Sequence, residues 1–88
     1  MKQTKVMIQS LVIAAIFVAT QGNKDQPTEE EISLDNTPLV YCDSLDYIEF
    51  IMHLESKLDI GINDEDAEKL SRKPLTSMVE YLLTRTGE

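Results

Sequence analysis

The 88-residue chain has little of what usually staples a small fold or builds a metal or nucleic-acid site. Its single cysteine cannot form a disulfide within the chain, and one cysteine with one histidine argues against a zinc site. Eight basic residues face sixteen acidic ones, which gives a formal charge of −8 at pH 7. Such a surface repels nucleic-acid phosphates and favours basic protein partners. The length allows one small domain, residues 1–88.

The usual patterns of catalytic and ligand-binding residues are also absent from the sequence. There is no glycine-rich phosphate loop, and the lone histidine, His53, is nine residues after Ser44 with no Gly-x-Ser-x-Gly motif around it. Cys42 has no evident base partner. The acidic run Asp64–Glu68 lacks the glycine and alternating oxygen ligands of an EF-hand loop, and suits a solvated helix start better. We therefore predict no catalytic residue and no metal site.

The chain also has no apolar run of great length, and the longest one that it has lies near the N-terminus. Leu11–Ala19 is far shorter than the ~20 residues that span a bilayer. Because Lys2 and Lys5 precede it, the segment fits either a secretory signal or a first helix that is apolar all round and buried. The helix is favoured, because residues 24–88 alone would build a poor core. Apolar residues make up 42% of the chain, enough for it to fold.

No stretch alternates polar and apolar residues with a period of two, so the prediction is an all-α four-helix bundle. We expect helices at 1–20, 43–58, 64–70 (short) and 76–86, with a long loop at 21–42. In the loop, Thr28–Glu31 has the pattern of a capping box. The later helices have candidate caps: Asp43 or Ser44, Asn63 or Asp64, and Thr76 or Ser77. The apolar loop residues expected to pin the loop to the core are Ile32, Leu34 and Leu39.

The second helix carries two apolar stripes. A helical wheel places five side chains on a core-facing stripe: Tyr47, Phe50, Ile51, Leu54 and Leu58. A second stripe, Leu45, Ile48 and Met52, lies on nearly the opposite face with carboxylates beside it. This pattern is typical of a helix that offers a binding surface to another protein. Ser44 precedes this stripe; helix grammar alone favours it as an N-cap, but its position also suits covalent modification.

The segment Asp43–Glu55 closely resembles the start of the second helix of acyl carrier proteins, with Asp-Ser-Leu followed by alternating acidic and apolar residues. Leu58–Leu70, with Ile-Asn-Asp-Glu-Asp-Ala-Glu-Lys, resembles their third-helix region, and Val79–Leu82 their last helix. The resemblance is looser over 28–42. It implies a four-helix bundle whose Ser44 carries 4′-phosphopantetheine, installed from coenzyme A, with acyl intermediates held as thioesters on that arm.

The resemblance also implies further site residues. Those expected to dock partner enzymes are Asp43, Leu45, Asp46, Ile48, Glu49, Met52 and Glu55. Those expected to shelter the acyl chain are Phe50, Leu54, Ile62, Ala67, Leu70 and Val79. The implied partners are a holo-carrier synthase or another phosphopantetheinyl transferase, acyl-chain ligases, ketosynthases and acyltransferases with basic patches. The expected protein is a monomeric, non-catalytic cytoplasmic carrier for fatty acid, polyketide or related biosynthesis, without stable membrane insertion.

Three departures from the family pattern point to a specialised, freestanding member. The stretch between Leu39 and Ser44 is short, the link at 71–76 is long and basic, and the first helix is very apolar. A peptidyl carrier is a close relative, although such domains tend to be less acidic in the second helix. The alternative from another class is a secreted or membrane-docked acidic interaction protein, with residues 1–20 as its signal or anchor.

Overall fold

The computed structural model describes residues 4–86, which form four α-helices. These are α1 (Lys5–Ala19), α2 (Ser44–Leu58), the short α3 (Asp64–Ser71) and α4 (Leu75–Thr86). No strand occurs within residues 4–86, so the predicted all-α four-helix architecture is confirmed over that range. The parts of the predicted first helix and of the predicted 1–88 domain that fall on residues 1–3 and 87–88 lie outside the described residues.

Helix α1 supplies one side of the core. It begins after Thr4, whose hydroxyl oxygen accepts a hydrogen bond from the Met7 backbone N–H at 3.2 Å. One face packs against α2 and α4 and consists of Ile8, Val12, Ala15, Ile16 and Ala19. The expectation of a helix buried all round is wrong, because Val18, within the apolar run Leu11–Ala19, is 41% exposed, and Val6 and Met7 near the start of the helix are exposed too. Among residues 4–86, no helix has the length and apolar character needed to cross a membrane.

The long loop contains two 3₁₀ turns, Glu29–Glu31 and Pro38–Val40. In the first, a Glu31 carboxylate oxygen accepts from the Thr28 backbone N–H at 2.9 Å, which is one of the two hydrogen bonds of the predicted capping box. Ile32 is buried and Leu34 is half-buried, as expected of loop anchors. The same expectation for Leu39 is wrong. The second turn buries Pro38 and leaves Leu39 49% exposed.

The long loop also supplies hydrogen-bond acceptors to the start of the last helix. The backbone N–H groups of Leu75 and Thr76 donate to the carbonyl oxygens of Asn36 and Leu34, at 2.8 and 3.0 Å. Loop carbonyls thus satisfy two of the N–H groups that a helix leaves open at its start. The predicted cap at Thr76 or Ser77 is therefore wrong, since α4 begins at Leu75.

The other helix ends and the core follow the predicted pattern. Asn63 caps α3, with its side-chain oxygen accepting from the Asp66 backbone N–H at 2.7 Å. Asp59 ends α2 in the left-handed conformation with φ of 55°. The core-facing stripe of α2 is buried, apart from the half-buried Leu58. The large side chains with the least exposure in the core are Ile8, Val12, Ile16, Phe50, Leu54, Leu75, Met78, Val79 and Leu82.

Candidate functional site

Ser44 is the first residue of α2 and is exposed. The cap is Asp43, whose carboxylate accepts from the Asp46 backbone N–H at 2.8 Å. The interpretation of Ser44 as the N-cap is therefore wrong, since Asp43 performs that role. The Ser44 hydroxyl stands instead at the positive end of a fifteen-residue helix, where backbone N–H groups favour a negatively charged group.

The second apolar stripe of α2 faces solvent as predicted. Leu45, Ile48 and Met52 are 74%, 54% and 59% exposed, although large apolar side chains are usually buried. We call this stripe, together with the carboxylates beside it, the outer face of α2. Its members are Asp43, Leu45, Asp46, Ile48, Glu49, Met52 and Glu55. An exposed apolar patch with a polar rim is typical of a protein–protein contact.

The carboxylates of the outer face differ in what they do inside the fold. Asp46 accepts a hydrogen bond from the Asn23 side-chain amide at 2.7 Å, which ties the start of the long loop to the first turn of α2. Glu55 accepts from the Ile62 backbone N–H at 2.8 Å and so holds the segment between α2 and α3. Glu49 is exposed. Of these three carboxylates, Asp46 and Glu55 therefore hold parts of the fold together through hydrogen bonds, in addition to the negative charge that they bring to the outer face of α2.

Two clefts open between α2 and α3, and four residues line both of them: Tyr47, Ile48, Asp64 and Ala67. The larger, of about 330 Å³, also contacts Ser44, Leu39, Glu68 and Ser71, and we call it the Ser44 cleft. The smaller, of about 180 Å³, is completed by Ile51, Met52, Glu55 and Ile62, and we call it the Ile62 cleft. A flexible group attached at Ser44 thus has an adjoining groove to occupy.

The residues expected to shelter an acyl chain separate into two sets. Ala67 lines both clefts, and Ile62 lines the smaller one. Phe50, Leu54, Leu70 and Val79 belong to the closed core, each no more than 7% exposed, and none of them lines either cleft. A guest that reached these four residues would have to separate packed helices.

Tyr47 is the cleft residue that the sequence did not single out, beyond its place on the core-facing stripe. Its hydroxyl donates to the Ala67 backbone carbonyl of α3 at 2.5 Å. Its ring packs at a tilt against Phe50, with 5.8 Å between centroids. The available signal was general: a buried tyrosine usually finds a hydrogen-bond partner for its hydroxyl. The sequence did not identify that partner, which is twenty residues away.

Cys42 lies two residues before Ser44 but is only 3% exposed. Burial, with the nearby charges of Asp46 and Asp43, raises the pKa of its thiol to about 12. The thiolate is the reactive form of cysteine, so at neutral pH this side chain is a poor nucleophile.

Residues 4–86 also show no arrangement of side chains typical of a metal centre. Within residues 4–86, no three side chains of His, Cys, Asp or Glu are grouped so that they could hold one metal ion. The acidic first turn of α3 is capped by Asn63.

The geometry defines a class: a small acidic helical protein that presents one serine at the head of a helix, beside a cleft and an exposed apolar face. No family model matches the chain. It is 39% identical to the acyl carrier protein of Chlorobium phaeobacteroides over 71 residues. This aligned stretch covers 80% of this chain and 85% of that protein. The chain is 41% identical over 67 residues to the acyl carrier protein of Clostridium perfringens, covering 74% and 86%. The chain belongs to the acyl carrier protein family.

A third relative matches a shorter stretch more closely. The acyl carrier protein of Chlamydia felis is 48% identical over 47 residues, which cover 53% of this chain and 58% of that protein. The resemblance noted in the sequence is thus confirmed at the level of the family.

Proposed function

We propose that this chain is a non-catalytic acyl carrier whose Ser44 hydroxyl is the attachment point of 4′-phosphopantetheine. The observation that carries the proposal is the placement of Ser44: exposed, first in α2, and lining a cleft of about 330 Å³. Membership of the acyl carrier protein family supports the same assignment. The chain performs no chemical step of its own in this role.

The residues around Ser44 fit the group. Its hydroxyl is accessible for a phosphodiester, and the N-terminal end of α2 favours the phosphate charge. The walls of the Ser44 cleft combine apolar side chains, Leu39 and Ile48, with polar ones such as Ser71, which suits an arm that contains both methylene and amide groups. When bound, the group supplies a thiol that holds acyl groups as thioesters. Cys42 is buried, so it does not compete as a second thiol.

The outer face of α2 accounts for partner binding in this proposal. Its apolar stripe would fill a shallow pocket on an enzyme, while the carboxylates beside it would meet a basic rim. Contacts that combine a small apolar patch with opposite charges form fast and release readily, as a carrier needs between reaction steps. The expected partners are a phosphopantetheinyl transferase or holo-carrier synthase, acyl-chain ligases, ketosynthases and acyltransferases. They would belong to fatty acid, polyketide or related biosynthesis.

The proposal is tested by intact-mass spectrometry before and after incubation with coenzyme A and a promiscuous phosphopantetheinyl transferase. We expect a gain of one phosphopantetheine, mapped by fragmentation to Ser44. Ser44→Ala should take up none while keeping its helicity by circular dichroism. Ser56→Ala is the matched control, because Ser56 is also exposed on α2 but lies near its other end, and it should be modified normally.

Two results would contradict the proposal. A folded wild-type chain that gains no mass would show that Ser44 is not an attachment point. A gain retained by Ser44→Ala would place the modification on another residue.

A further inference from the structure

Tyr47 is one of the four residues that line both clefts, and its hydroxyl spans the gap between α2 and α3. It follows Ser44 by three residues on α2, so both side chains lie on neighbouring positions of one helix face. Its side chain lines the Ser44 cleft and the Ile62 cleft, and its hydroxyl bridges to the Ala67 carbonyl across the gap between α2 and α3. Ala67 lines both clefts as well. A group that extends from Ser44 toward Ile62 therefore meets the Tyr47–Ala67 hydrogen bond on its way.

The hydrogen bond between the Tyr47 hydroxyl and the Ala67 carbonyl is not lost by ionisation of the hydroxyl at neutral pH. The Tyr47 side chain is only 9% exposed, and burial raises the pKa of its hydroxyl well above the ordinary value, so it stays protonated and remains a donor. Moving the ring aside would break the hydrogen bond and leave the Ala67 carbonyl without that donor. It would also disturb the packing of Tyr47 on Phe50. The closed position is thus held at both ends of the side chain.

The Ile62 cleft is small while the Tyr47–Ala67 hydrogen bond is formed. The Ile62 cleft has a volume of about 180 Å³. For comparison, an apolar cavity of about 150 Å³ holds one benzene molecule, so the cleft has room for roughly six carbons. Behind Tyr47 lies the closed core, where Phe50 and Leu54 are fully buried. Movement of Tyr47 would open room toward that core.

We infer that Tyr47 sets the length of the acyl group that this chain shelters. While its hydroxyl is bonded to Ala67, the Ile62 cleft accepts about six carbons and leaves the rest of a longer group outside that cleft. The inference rests on the proposed carrier function and adds a residue that selects among acyl groups.

The test measures how well the protein protects thioesters of different length. Butyryl, hexanoyl, octanoyl and dodecanoyl groups are loaded on the full chain from the acyl-coenzyme A with a promiscuous transferase, and loading is verified by intact mass. The rate of thioester cleavage by hydroxylamine is then measured for each. In wild type we expect the rate to fall from butyryl to hexanoyl and then to stay constant within about twofold. A methylene that is not buried adds nothing to sheltering.

Tyr47→Ala should remove the limit on the length of acyl group that the protein shelters. Each further methylene that is buried favours the sheltered state by a factor of about four, so cleavage should slow at least tenfold between hexanoyl and dodecanoyl. Tyr47→Phe keeps the ring and removes only the hydroxyl. It should slow octanoyl cleavage about threefold relative to wild type, in line with the loss of one hydrogen bond. This variant carries the test if Tyr47→Ala does not fold.

Tyr41→Phe is the matched control. The Tyr41 hydroxyl accepts hydrogen bonds from the Ser33 backbone N–H and the Asn36 side-chain amide, and its side chain lines neither cleft. This variant should keep the wild-type dependence on acyl length even if its melting temperature falls.

The outcomes separate the two proposals. Normal loading with the same length dependence in wild type and both Tyr47 variants would overturn the role of Tyr47 and leave the carrier function intact. Continued slowing up to dodecanoyl in wild type would overturn it as well. Failure to load any acyl group on the folded wild-type chain would overturn the carrier function, and the inference with it.

Discussion

Helices α1 and α2 are each fifteen residues long but differ in what their apolar side chains do. Helix α1 has no acidic residue, and its main contribution is the face of Ile8, Val12 and Ile16 that packs on α2 and α4. Helix α2 also contributes to the core, but its opposite side carries the outer face and its first residue is Ser44. The comparison teaches that apolar side chains do different work on the two helices. On α1 most of them stabilise the bundle, while on α2 three of the eight, Leu45, Ile48 and Met52, remain available to another molecule.

One substitution on each helix tests most directly whether the apolar side chains of α1 and α2 differ in their contribution to stability. Ile16→Ala removes a side chain that is fully buried, and should lower the free energy of unfolding by about 2–5 kcal/mol. Ile48→Ala removes the same atoms from a side chain that is 54% exposed, and should change it by no more than about 0.5 kcal/mol. Urea unfolding followed by circular dichroism measures both. Equal losses would mean that the outer face of α2 is part of the core.

Glu55→Ala tests whether the outer face of α2 is uniform. Its carboxylate is the acceptor for the Ile62 backbone N–H, so its removal should cost about 1.5–3 kcal/mol of unfolding free energy. Glu49→Ala is the control on the same helix, because Glu49 is exposed, and it should change stability by less than about 0.5 kcal/mol. The same unfolding experiment applies. If Glu55→Ala were as stable as Glu49→Ala, the hydrogen bond to Ile62 would contribute nothing to the fold.

Glu49→Lys tests the charge of the outer face by changing binding without changing the core. The rate of modification at Ser44 by a transferase with a basic surface should fall about tenfold at low salt, and the difference should shrink as salt screens the charges. Glu30→Lys is the matched reversal, since Glu30 is exposed on the loop against α1. Initial rates at low and high salt provide the comparison. An equal effect of the two reversals would point to net charge rather than to α2.

Much of α2 could be predicted from sequence because the information is local. A cap, a period of 3.6 and two stripes specify where the helix starts, which side is buried and which side is left for a partner. The exposed stripe of Leu45, Ile48 and Met52 was found in this way. The family resemblance rested on the same stretch, where motif order and spacing are also local.

The features that sequence missed depend on contacts between distant parts of the chain. Helix α4 starts at Leu75 because Asn36 and Leu34 offer carbonyl groups to it, and no pattern near Leu75 shows this. A helical wheel placed Tyr47 in the core but could not supply Ala67 as the partner of its hydroxyl. For the same reason, the family resemblance placed the cleft residue Ile62 and the closed-core residue Leu70 in one acyl-sheltering set and did not separate them.

The burial of Cys42 has a practical consequence for following this protein in solution. Burial raises the pKa of the Cys42 thiol to about 12, so very little of it is ionised at pH 7, and the sulfur is covered. In the folded chain, this native cysteine is therefore nearly silent toward maleimides, iodoacetamide and disulfide reagents. A fluorescent maleimide added to the native protein would report on a thiol gained at Ser44, and the same dye would become an unfolding probe once denaturant exposes Cys42.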